Sequence, residues 1–301
     1  MATRHYWKLY PILLLLLAGP EAWAHPTGNL LVVGEQVLWS YISPVEDPDH
    51  KACIMSWKPG TDPIVLLQSE YPASDFMLSA RGEEIYAVER RDLAAEDRFE
   101  SRVLKLGPGE TAEEIWPWFP DSWRVGEAGF FMLSDMQMVM GRYPGVAVLE
   151  KGGEPEPYLN FGEPVRKIRH LEDERLLLLG EGACWLTDQK GKVLQYWDSF
   201  LDPDAPEPPL GRNQVFDADY RDGELLLAYW GMRQYKVIHP DGRQEVIRQL
   251  EDPLTPHWVA YSNFGKLLFA SRLVFTGETP RPDLVRIPDA GRILSVWQMP
   301  E

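Results

Sequence analysis

The sequence predicts an all-β protein, a six-bladed β-propeller of four-stranded antiparallel blades. Three observations predict it. Across 301 residues, 26 prolines and 24 glycines leave no long amphipathic helical stretch, because both residues break helices and punctuate turns. Six apolar, strand-like cores recur along the chain, each preceded by a tight and mostly polar turn. Each core is followed by a hairpin turn centred on glycine, and successive turn glycines lie 39 to 51 residues apart. Recurrence at such a period is the mark of a repeat architecture.

The units read in order as follows. The first pairs Leu30–Val33 with the core Val37-Leu38-Trp39 across Gly34-Glu35, and turns again at Lys58-Pro59-Gly60. In the second, Phe76-Met77-Leu78 meets Ile85–Val88 across Arg81–Glu84, followed by Gly107-Pro108-Gly109 and the aromatic strand Glu114-Ile115-Trp116. The third has the turn Ser134-Asp135, the core Met138-Val139-Met140 and the turn Lys151-Gly152-Gly153. The fourth has Glu172-Asp173-Glu174, Leu176–Leu179, Gln189-Lys190-Gly191 and Val193–Trp197. The fifth runs through Arg221-Asp222-Gly223, Leu225–Trp230 and Pro240-Asp241-Gly242. The sixth pairs Trp258–Tyr261 with Leu267-Leu268-Phe269 across Asn263-Phe264-Gly265, then turns at Pro288–Gly291 into Ile293–Trp297. Two hairpins per unit make four antiparallel strands, and radial packing of such sheets protects their edges. The stretch from Phe216 to Leu250 is the closest to a consensus blade, and the chain resembles the broad class of NHL-type and TolB-like propellers. That resemblance implies a fold and carries no catalytic residue set.

Composition sets further bounds. A chain that is 45% hydrophobic buries a large core and is not disordered. Lys+Arg 30 against Asp+Glu 46 gives a net charge of −16, without the basic stripe that nucleic-acid binding needs. Residues 1–24 read as a signal peptide: Arg4 and Lys8, an apolar run from Leu9 to Ala18, then the small-x-small site Ala22-Trp23-Ala24. The apolar run is too short to span a bilayer. The expectation is a single propeller domain over 25–301, exported to a periplasm or the extracellular space, with no membrane-integral segment after cleavage.

Cys53 and Cys184 fall in the first and fourth units, on opposite sides of a six-unit ring and too far apart to bridge. Two buried thiols are expected. His25 would be first after cleavage, where copper chelation through amine and imidazole competes with an ordinary chain end. His170, His239 and His257 lie in different units without metal-ligand spacing. No metal and no cofactor is expected.

Parity of the meander places the short turns on one face, acidic through Glu35, Glu83, Glu84, Asp135, Glu172, Asp173, Glu174 and Asp222. The other face receives the long loops Ser43–His50, Arg90–Ser101, Leu201–Asn213 and Val274–Asp283, where binding sites usually sit. Arg90, Arg142, Arg233 and Arg272 follow second strands, while Arg124, Arg166, Lys167 and Arg212 approach first strands. Converging at the channel mouth, guanidinium groups would hold a carboxylate, sulfate or phosphate. The same loops carry Asp47, Asp92, Glu96, Asp97, Asp121 and Asp204, so each arginine also has a local acid to pair with. Trp230 and Trp258 are candidates to stack on a ligand. The function expected is a non-catalytic binding or protein-interaction propeller with an anionic ligand on the long-loop face. The alternative is a hydrolase or lyase acting on a small anionic compound or a saccharide, with His257 as acid or base and Arg124, Arg212 and Arg233 holding charge.

Overall fold

The structure, a computed structural model, describes residues 28–272 apart from 43–50, 73, 94–95, 108–110, 122–124, 126–127, 143–144, 162–164, 172, 202–214 and 252–253. It is a β-propeller. The first blade holds β1 (Leu30–Val33), β2 (Gln36–Ile42), β3 (Ala52–Trp57) and β4 (Ile64–Gln68). The second holds β5 (Ser74–Arg81), β6 (Glu84–Leu93), β7 (Arg98–Leu106) and β8 (Ala112–Pro120). The third is built from β9 (Phe130–Ser134), β10 (Gln137–Arg142), β11 (Gly145–Glu150) and β12 (Glu156–Leu159). The fourth comprises β13 (Lys167–His170), β14 (Leu176–Leu179), β15 (Cys184–Thr187) and β16 (Val193–Trp197). The fifth has β17 (Val215–Arg221), β18 (Glu224–Tyr229), β19 (Gln234–Ile238) and β20 (Gln244–Gln249). Strands within each blade are antiparallel and hydrogen-bonded in sequence order.

Among the described residues there are therefore five four-stranded blades, not the six expected. A sixth sheet has two strands, β21 (Leu254–Ser262) and β22 (Gly265–Arg272). The remaining strands expected of it, around Pro288–Gly291, lie outside the described residues, as does the signal peptide expected over 1–24. The two-stranded sheet stands between the fifth blade and the first, with β21 packed against β17 on one side and β1 on the other.

The core lies between sheets rather than within them. Each adjacent pair shares one apolar cluster: Leu38, Ile54 and Phe76 between the first and second blades, Val88, Trp116 and Met138 between the second and third, and Phe131, Val139 and Leu176 between the third and fourth. Leu179, Trp197 and Leu225 follow, then Leu226, Tyr235 and Val259. Trp39, Trp258 and Phe269 close the ring. The core strands read as nearly continuous apolar runs, Leu176–Leu179 for example, because both of their faces are covered by neighbouring sheets.

The hairpin glycines behave as their spacing predicts: Gly60, Gly152, Gly191 and Gly242 have φ between 78° and 83°, a region other residues enter only with strain. Cys53 in β3 and Cys184 in β15 are free and buried, and burial pushes the Cys53 thiol up to about 12, so neither is a reactive thiolate. One expected long loop is not a loop. β6 and β7 continue through most of Arg90–Ser101, with Arg90 paired to Ser101 and Leu93 to Arg98 across the ladder.

Candidate ligand site in the central channel

The inner strands β1, β5, β9, β13, β17 and β21 surround a cavity of about 640 Å³. Its lining runs from the short-turn residues Gly34, Glu83, Glu174, Asp222 and Asn263 to Asn29, Gly129, Lys167 and Asp217 toward the other ends of the inner strands. The cavity thus spans the inner strands from the acidic turns to the strand starts, where Lys167 is one of the basic residues expected to approach the channel from the long-loop side.

The floor is a charged network built by strand alternation. Lys167 and Arg169 lie two residues apart on β13, and Asp217 and Asp219 two apart on β17. Period-two geometry puts each pair on one face of its strand, and the two faces meet. Arg169 Nη2 donates to Asp217 Oδ2 at 2.9 Å and to the Val259 carbonyl at 3.1 Å, while its Nη1 reaches Asp219 Oδ2 at 3.1 Å. The Val259 N–H donates to Asp217 Oδ2 at 3.1 Å, and the Tyr261 N–H to Asp219 Oδ2 at 2.7 Å. One guanidinium and two carboxylates so clasp the inner strands of the fourth and fifth blades and the two-stranded sheet.

Lys167 is different. Its Nζ has a single contact among the described residues, Asp217 Oδ1 at 3.5 Å, and an ammonium carries three donors. Its side chain keeps 25% of its surface accessible, whereas Asp217 keeps 3%. Burial holds the Lys167 ammonium below the ordinary lysine range, Asp217 offsets this in part, and the neighbouring Arg169 charge adds to it. For Arg169 burial also opposes the charge, but Asp217 and Asp219 outweigh it and the guanidinium is held above its usual range. Burial raises the Asp219 carboxyl despite Arg169 and the N–H groups of Tyr261 and Tyr220.

Nearer the opening, His170 stacks on Phe131 at 4.7 Å with 14° between the rings, and burial lowers its basicity. Its Nε2 stands 3.6 Å from Glu174. The cations at the rim are engaged: Arg175 pairs with Asp173, and Arg221 donates to the Ser262 carbonyl at 2.7 Å. Glu83 and Asp222 are exposed there, so the rim is acidic, and Lys167 lies at the far end of its inner strand.

Of the residues expected to form a site, the described Arg90, Arg233, Trp230, Trp258 and His257 are not among those lining this cavity. Arg90 pairs with Asp75 at 2.5 Å and lies over Phe99, and Arg166 pairs with Glu181 at 2.5 Å. Arg233 occupies the turn after β18 with φ 54°. Arg142 and Arg272 are on β10 and β22, but their side chains lie outside the described residues, as do Arg124 and Arg212 entirely. Trp230, Trp258 and His257 do come together, through Phe216: its ring is 4.5 Å from Trp230 and 5.4 Å from His257, which is 4.7 Å from Trp258. Both tryptophans are 3% exposed, and Trp258 belongs to the ring-closing core. Among the described residues no group of three or more His, Cys, Asp or Glu side chains could hold a metal ion. The sequence reading named Lys167 but missed Arg169, Asp217 and Asp219; charged residues at i and i+2 inside inner strands were the signal.

No protein-family model matches the sequence, and no curated protein is similar to it in sequence. Similarity to solved structures is to propellers. A protein of unknown function from Bacteroides thetaiotaomicron is 9% identical over 80% of this chain and 65% of its own, with a TM-score of 0.51. Virginiamycin B lyase from Staphylococcus aureus is 10% identical over 84% of this chain and 93% of its own, with a TM-score of 0.49. A streptogramin B lyase is 13% identical, covering 81% and 91%, with a TM-score of 0.47. At these identities the likeness concerns the fold alone.

Proposed function

We propose that this chain is an exported ligand-binding propeller whose site is the central channel, with Lys167 as the anchor. The observation that carries the proposal is the Lys167 ammonium, with a single 3.5 Å contact in a cavity of about 640 Å³. Pockets of this size take small molecules, oriented by few polar groups. An ammonium with unused donors binds a carboxylate or carbonyl oxygen, and the acidic rim disfavours a second negative charge. The ligand class is therefore a small molecule with one carboxylate or carbonyl end and a neutral or cationic remainder, which narrows the anionic ligand expected from sequence.

Export by cleavage before His25, and completion of a sixth blade by residues beyond Arg272, belong to the same proposal. The leader has the composition of a signal peptide, and the two-stranded sheet already occupies a sixth place in the ring.

A thermal-shift panel of monocarboxylates, α-amino acids and dicarboxylates tests the reading. A ligand at a hundredfold excess over Kd stabilises by about 2.7 kcal/mol, which for a domain of this size is roughly 5–10 °C. Monocarboxylates or amino acids should shift the wild type and not Lys167→Met. Equal shifts in both proteins, or shifts by dicarboxylates alone, would contradict it.

A further inference from the structure

The floor of the channel holds an amine and a carboxylate in an arrangement that does more than attract an anion. The two oxygens of Asp217 are used unequally. Oδ2 accepts from Arg169 Nη2 and from the Val259 N–H, which fixes the carboxylate. Oδ1 has one contact among the described residues, the Lys167 Nζ. Both residues line the cavity and Oδ1 stands 3.5 Å from Nζ, so an atom bonded to Nζ lies close to that oxygen. A fixed, singly used carboxylate oxygen beside a cavity-facing amine is placed to move protons on and off that nitrogen.

We propose that Lys167 captures small aldehydes or ketones in the channel as a reversible imine, with Asp217 Oδ1 shuttling the protons. This deepens the channel-binding reading and rests on it. The neutral amine attacks the carbonyl carbon, and the C=O π electrons move to oxygen. Asp217 Oδ1 takes a proton from nitrogen and delivers it to that oxygen, giving a carbinolamine. A second N–H proton passes by the same route to the hydroxyl, which leaves as water while the nitrogen lone pair closes the C=N bond. One amine and one carbonyl become one imine and one water, with no oxidant or reductant. Burial and the adjacent Arg169 charge favour the neutral amine that the attack needs, as in other lysine nucleophiles lodged beside a cation. Arg169 is a positioning residue here: with Asp219 and the Val259 backbone it keeps Asp217 in place.

The test uses the whole chain with glyoxylate as probe, sodium borohydride to reduce any imine, and peptide mass mapping. Glycolate, which has the same carboxylate and no carbonyl, is the control. The expected result is a single dominant reduced adduct on Lys167, formed at least tenfold faster than on any other lysine. Its rate should rise with pH at a midpoint below the ordinary lysine range, and glycolate should suppress it. Asp217→Asn should slow trapping at Lys167 at least tenfold, and Lys167→Arg, which keeps the charge, should lose the adduct while retaining a cooperative melting transition. If glycolate raises the melting temperature while Lys167 is reduced no faster than other lysines, imine capture is overturned and channel binding stands. If glycolate and glyoxylate neither shift melting nor mark Lys167, both readings fall.

Discussion

Arg169 is the side chain on which the inner wall depends most. It pairs with two carboxylates that are 2% and 7% exposed and also satisfies a backbone carbonyl. Removing one member of such a group leaves charges uncompensated, which costs about 3 kcal/mol. Arg169→Met should therefore lower the melting temperature by roughly 6–12 °C, and a change under 2 °C would show the network to be incidental. A second residue-scale prediction concerns acid. The Arg91 hydrogen bond, aided by Arg98, holds the Glu100 carboxyl below its ordinary value of 4.5. A carboxyl whose folded value is depressed stabilises above its unfolded value and loses that contribution as pH falls through the folded one. The melting difference between wild type and Glu100→Gln should thus be full at pH 7 and shrink as the pH falls below 4.5; a difference that grows in acid would contradict the assignment. At this scale the sequence was partly legible. Lys167 stood out as a basic residue entering a first strand, but nothing local marked Asp217 and Asp219, whose partners lie on other strands.

Turns and core strands were the most readable elements, since a glycine at positive φ and an apolar run covered on both faces are local consequences of local sequence. Gly242 and Gly129 separate two meanings of such a glycine. At Gly242 φ is 83° and an added Cβ would meet nothing within 4 Å, so Gly242→Ala should cost only the left-handed strain, about 1–2 kcal/mol. At Gly129, beside the channel, φ is 88° and a Cβ would lie 2.3 Å from the Ile168 carbonyl of the next blade. Gly129→Ala should cost about 2–5 kcal/mol, strain plus overpacking, as read by urea denaturation. Equal costs would mean that the blades are not so closely apposed there. The hairpin of β6 and β7 was misread as a loop because its charged residues obscured the ladder; those charges instead face one another, as Arg91 with Glu100 does at 2.5 Å.

At the scale of the whole molecule, periodicity gave the ring, and the ring decides which distant residues meet. Six sheets surround the axis among the described residues, five of them four-stranded. The channel was not legible, because long loops and arginines are conspicuous in sequence while a cavity lined by residues of six separate strands is not. The central claim is that binding resides in the channel at Lys167. Isothermal titration of the best ligand from the panel into wild type, Lys167→Met and the long-loop-side double variant Arg90→Gln/Arg233→Gln tests it most directly. The account predicts that Lys167→Met abolishes binding and the arginine variant binds within about twofold of wild type, roughly 0.4 kcal/mol of change. Binding kept by Lys167→Met and lost in the arginine variant would contradict it and move the site to the opposite face.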